Sequence, residues 1–103
     1  MPGIDFAAVR EQIPIRDVLT LLGFQPTSYR GGTRLRGLCP LQCSDDPTAF
    51  VADLNIDKFY CHRCHRGGNQ LDLWSVTNGL LIYPAAKDLC MRLDIPIPEI
   101  ERW

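Results

Sequence analysis

Apolar residues recur at helical spacing near both ends of the chain and at alternating spacing in its middle. Over residues 4–13, Phe6, Val9 and Ile13 share one side of a short predicted helix. Ile15, Val18, Leu19 and Leu22 follow the i, i+3, i+4, i+7 pattern of a second, with Pro14 suited to its start and Gly23 placed as its C-terminal cap. After Pro26 the pattern shortens to strands. TSYR, the pair Gly31-Gly32 and TRLRGL predict a β-hairpin, because two glycines tolerate the positive φ of a tight turn. Residues 48–53 and 58–62 predict a second hairpin, turned through Leu54-Asn55-Ile56-Asp57. Two helices follow, one from about Gln70 to Asn78 and one opened by Pro84 that lines up Ala86, Leu89, Cys90 and Leu93. The proline-rich stretch DIPIPEIERW does not continue that helix. Helices, then antiparallel strands, then helices argue an α+β fold.

With 103 residues, 46% of them hydrophobic and 22% charged, the chain has the composition of one folded domain with a modest core that a metal staple would strengthen. A net charge of −1 creates no global field toward nucleic acid or membrane, so any such footprint is local. The opening MPGIDFAAVREQI has neither the basic nor the apolar region of a secretory signal, and no apolar run approaches the roughly 18 residues of a membrane span. The expected location is the cytoplasm, without a membrane partner. Thiols stay reduced there, so five cysteines point to metal binding or catalysis before disulfides.

Cys39 and Cys43 are separated by three residues and Cys61 and Cys64 by two, with seventeen between the pairs. Each pair closes a predicted hairpin, and two such turns offer zinc four thiolates from converging directions. The sequence CHRCH over residues 61–65 also matches a c-type haem attachment site, with Met91 as a second axial ligand. That reading leaves Cys39 and Cys43 unused. A thiol-redox pair would sit at a helix start, not between a strand and Gly67-Gly68. One structural zinc held by Cys39, Cys43, Cys61 and Cys64 is therefore the expected cofactor. His62 and His65 are expected to face solvent, although either is chemically able to replace a thiolate, and Cys90 is expected in the core. Four protein ligands leave the metal no open position for a water, so the chain is not expected to be an enzyme on its own or to take a small-molecule substrate.

Gly37-Leu38-Cys39-Pro40, Phe50, Phe59-Tyr60-Cys61, Cys64, Gly68-Asn69 and Leu71-Asp72 resemble the CHC2 zinc-finger domain at the N-terminus of bacterial DnaG-type primases. That family typically reads GLCPFHNEKTPSF, then FYHCFGCGAHGNAIDF. Residues 13–23 and 84–93 are similar to the helices before and after the family's strands, so the resemblance spans roughly residues 5–97. It implies a zinc ribbon on a small antiparallel sheet of two hairpins, flanked by helices. Residues 1–103 would form a single such domain, with a helical lead-in over 1–26, the ribbon over 27–66, and helices and tail over 67–103. It also implies a module that contacts single-stranded template DNA and assists primer initiation, while catalysis belongs to a separate polymerase domain absent from these residues. The chain departs from the family where Cys43, displaced by Gln42, stands for a histidine ligand, and where Asp45-Asp46 replaces an acid–lysine pair ahead of Pro47.

Arg34 and Arg36 flank Leu35 and so share one strand face. Arg30, Lys58, Arg63 and Arg66 lie nearby, and residues 30–66 hold six basic and four acidic side chains. Arg63 and Arg66 have a second task available, neutralising the thiolates. Arg34, Arg36, Lys58, Tyr60, Arg63 and Arg66 are the expected nucleic-acid contacts, the arginines holding phosphates and Tyr60, Phe59 or Tyr29 stacking on unpaired bases. Phe50 and Phe59 are better suited to the core beneath a small sheet, and Trp74 to packing helix against sheet. Asp72 is expected to cap or to pair with the knuckle. The competing reading is a zinc-ribbon adaptor that docks a primase, helicase or mobile-element protein without touching nucleic acid. It draws on the acidic balance of the last third and on PIPEIERW as a docking peptide.

Overall fold

The computed structural model describes residues 3–30, 33–41, 43 and 45–100, with the backbone alone at 28–30, 99 and 100. Helix α1 (Phe6–Gln12) is capped by the Asp5 carboxylate, which accepts the Ala8 N–H. Helix α2 (Ile15–Leu21) begins after Pro14, which has no side chain to cap it. Its acceptor comes from elsewhere: Asp57 Oδ1 takes the Ile15 N–H at 3.0 Å. The helix ends as its glycine predicts. Gly23 adopts φ +71°, while the N–H groups of Phe24 and Gly23 return to the carbonyls of Leu19 and Thr20.

Strands β2 (Ser28–Arg30), β3 (Arg34–Gly37), β4 (Phe50–Asp53), β5 (Lys58–Cys61) and β6 (Gly67–Asn69) form an antiparallel sheet in chain order. The two expected hairpins are present, though the Gly31-Gly32 turn lies outside the described residues. Strand β6 extends the expected sheet; Gly-Gly-Asn has no alternation to announce it. Registers Leu35↔Ala52↔Phe59 and Gly37↔Phe50↔Cys61 line the inner face. There Phe50 stacks on Phe59 at 5.8 Å between ring centroids and meets Phe24 at 5.2 Å. Ile13, Ile15, Val18, Leu71, Leu73 and Leu89 complete the core, and Cys90 is buried with them as expected.

Helix α3 (Gln70–Asn78) has the predicted bounds. Asn69 and Asp72 form a capping box, each side chain accepting from the other's backbone N–H. Gln70 is a buried polar residue whose Nε2 donates to the carbonyls of Arg10 and Ile13, tying the α1–α2 corner to α3. Helix α4 (Ile82–Arg92) begins two residues before Pro84, which stays in the first turn where a missing N–H costs nothing. Trp74 is buried, but its polar edge turns to α4 rather than the sheet: Nε1 donates to Asp88 Oδ2 at 2.8 Å, and Arg92 lies over the ring. Part of the supposed docking peptide is already paired, because Glu99–Ile100 (β7) zips antiparallel to Gly3–Ile4 (β1). Gln42 and Trp103 lie outside the described residues. Among those residues no helix is long and apolar enough to cross a membrane.

Candidate metal centre and nucleic-acid interface

Each cysteine pair is positioned by the sheet. Cys39 lies two residues beyond β3, whereas Cys61 ends β5 and Cys64 lies in the turn after it. That turn is closed by His65 N–H on the Cys61 carbonyl and by Cys61 N–H on the Arg66 carbonyl, both at 2.9 Å, with His65 in the left-handed region. All four Sγ atoms lie within 4.8 Å of one another. Zinc–sulfur bonds of about 2.3 Å at tetrahedral angles separate sulfurs by about 3.8 Å. The observed 3.9 Å for Cys39–Cys64 and 3.5 Å for Cys43–Cys61 bracket that value, and none of these cysteines is in a disulfide.

As free thiols the ligands differ. Burial pushes Cys39 up to about 12, and hydrogen bonds with the Cys43 and Cys61 thiols add to it against the Leu41 N–H. Cys43 is raised too, first by desolvation and then by hydrogen bonds with the Cys61 and Cys64 thiols, against the one it shares with Cys39. Burial also opposes ionisation of Cys61, but the backbone N–H groups of Cys64 and Arg63, together with hydrogen bonds from the Cys43 and Cys64 thiols, outweigh it and bring the thiol down to about 7. Cys61 therefore ionises before Cys39, and metal entry must expel protons from the set. The cluster holds one structural zinc. His62 and His65 are exposed and take no part in the cluster.

The outer face of the sheet bears the other expected residues. Registers Arg34↔Asp53↔Lys58 and Arg36↔Val51↔Tyr60 place Arg34, Arg36, Lys58 and Tyr60 on it together. A shallow depression runs among Arg34, Val51, Asp53, Lys58 and Tyr60. Gly67 pairs with Tyr60 and leaves one flank of its ring clear; a Cβ there would meet Tyr60 Cδ1 at 2.9 Å. Tyr60 is 39% exposed, with His62 edge-on at 5.0 Å and His65 Nδ1 3.2 Å from its hydroxyl. Alternation could have suggested the Tyr60–His62 neighbourhood; the His65 contact depends on the turn. Arg63 and Arg66 are exposed in the knuckle. Phe59 faces the core and does not stack outward, whereas the side chains of Tyr29 and Arg30 lie outside the described set.

Two of these cations are engaged within the chain. Arg34 Nε lies 3.4 Å from Asp53 Oδ2, and Arg63 Nη2 lies 3.2 Å from Asp46 Oδ2. Hydrogen bonds from the Thr48 side chain and backbone, then from Arg63, hold the Asp46 carboxyl below its ordinary range. Arg36, Lys58 and Arg66 form no carboxylate pair among the described residues.

No family model matches the chain. Over 69 residues, 67% of its length, it is 33% identical to the DNA primase of Mycolicibacterium smegmatis, of which it spans 10%. Its fold is similar to the crystal structure of the Aquifex aeolicus primase zinc-binding and RNA polymerase domains, with a TM-score of 0.74 and 24% identity over 92% of this chain and 23% of that one. The fold and the cysteine cluster fit a DnaG-type primase zinc-binding domain. In this primase-type domain the zinc ties the end of β3 to the end of β5. The likeness is to the zinc-binding part of a primase and not to its catalytic part.

Proposed function

We propose that this primase-related zinc module binds single-stranded DNA template and assists primer initiation in the cytoplasm, with a separate polymerase domain, or a helicase alongside it, supplying the catalytic machinery. The observation that carries the reading is the open sheet face, which Arg34, Arg36 and Lys58 share with the exposed ring of Tyr60, beside the knuckle bearing Arg63 and Arg66. Cations spaced around an accessible aromatic ring suit a strand whose phosphates are neutralised while one base stacks. Zinc's part is structural: with Cys39, Cys43, Cys61 and Cys64 as its ligands, it fixes the strand ends and so the relation between face and knuckle. Few phosphates are within reach, so affinity is weak and falls with salt.

Fluorescence anisotropy of a labelled single-stranded DNA oligomer, from low to moderate salt, tests this. Zinc-loaded protein should bind with a salt-dependent affinity that Arg34→Glu/Arg36→Glu abolishes while zinc content stays at one equivalent. A second reading is favoured by α4 and the residue before it, where Leu81 (80% exposed), Tyr83 and Met91 (71% exposed) present apolar surface. Zinc-loaded protein that ignores DNA even at low salt would move the function to that adaptor role.

A further inference from the structure

Two carboxylates on and beside the template face are built alike. Asp46 Oδ1 accepts the Thr48 N–H at 2.9 Å and its hydroxyl at 2.7 Å, and Oδ2 faces Arg63 Nε and Nη2 at 3.3 and 3.2 Å. Asp53 repeats the division: Oδ1 accepts the Asn55 N–H at 2.9 Å, and Oδ2 faces Arg34 Nε at 3.4 Å across the register pair. In both, a backbone N–H two residues on fixes the carboxylate before the arginine arrives. The second oxygen then meets the guanidinium as a phosphodiester oxygen would. The arginines remain accessible, with side chains 64% and 62% exposed against 19% and 28% for their partners. Ion pairs this exposed contribute little to folding, so stability alone does not account for a twice-used arrangement.

Resting on the template-binding reading, we propose that Asp46 and Asp53 are internal competitors for template phosphate, keeping Arg63 and Arg34 neutralised until a strand displaces them. Exchanging a carboxylate for a phosphate leaves the local charge balance nearly unchanged and releases few counterions. Any polyanion thus loses the advantage of two of the face's cations. A productive strand must instead gain from Arg36, Lys58 and stacking on Tyr60.

The test is anisotropy of a fluorescein-labelled single-stranded DNA oligomer with zinc-loaded wild type, Asp46→Asn and Asp53→Asn. Asparagine keeps the oxygen that its turn requires and removes the charge facing the arginine. Each variant should bind about three- to tenfold more tightly at low salt, with the slope of log K against log salt steeper by about 0.7, the increment for one further neutralised phosphate. The gain should vanish in Asp46→Asn/Arg63→Gln and in Asp53→Asn/Arg34→Gln. If wild type binds and loses binding in Arg34→Glu/Arg36→Glu, yet neither asparagine variant gains affinity or slope, the competitor role is overturned and template binding stands. Absence of binding by wild type and both asparagine variants at low salt would overturn both.

Discussion

At the scale of single residues, the two adjacent glycines after the knuckle have separate jobs. Gly67 leaves room for the ring of Tyr60, and Gly68, at φ +152°, leaves room for the side chain of Asp72. A Cβ on Gly68 would lie 2.4 Å from Asp72 Oδ2, the oxygen that caps α3 by accepting the Asn69 N–H. Gly68→Ala should therefore destabilise the domain by about 1–3 kcal/mol in chemical denaturation, combining loss of a cap with a strained backbone. Zinc stoichiometry in the folded protein should not change, because the substitution acts on the helix start and not on a thiol. Of the two roles expected of Asp72, a cap and a knuckle contact, it fills the cap, and the glycine packed against it is explained by the same contact.

At the scale of elements, the α3–α4 contact is latched by Asp88, which accepts from Trp74 Nε1 and from Arg92 Nε. The Trp74 hydrogen bond, then that of Arg92, holds the Asp88 carboxyl below its ordinary value. The lowered group contributes stability above the unfolded carboxylate value of about 3.9 and loses it as pH falls through the lower folded value. The stability difference between wild type and Asp88→Asn, read from urea titrations, should be full at pH 6 and close below about pH 4. Elements whose signals are local were legible in advance: α2 through the apolar spacing of Ile15, Val18 and Leu19, its end through Gly23, and the β4–β5 hairpin through alternation. Elements completed from a distance were not. The cap of α2 comes from Asp57, the carbonyls at the α1–α2 corner are satisfied by Gln70, and β1 with β7 is a strand pair only because the two segments meet. The site divides the same way, since cysteine spacing announced the cluster while the carboxylates engaging Arg34 and Arg63 became visible only in three dimensions.

At the scale of the whole molecule, the β3–β4 ladder joins the two hairpins as far as Gly37↔Phe50, and zinc adds to it a tie between the loop after β3 and the turn after β5. A structural zinc of this kind contributes on the order of 10 kcal/mol of apparent folding free energy. Native mass spectrometry should find one zinc per folded chain, and Cys39→Ser or Cys64→Ser should lose metal and fold together; a metal-free folded monomer would contradict the assignment. The pairing of Gly3–Ile4 with Glu99–Ile100 has a mechanical consequence. Tension applied through the two ends meets that ribbon in a peeling geometry, where its bonds load one after another instead of sharing the force. The ribbon then acts as a fuse: under pull it opens first and lengthens the tether, before load reaches the sheet and its metal.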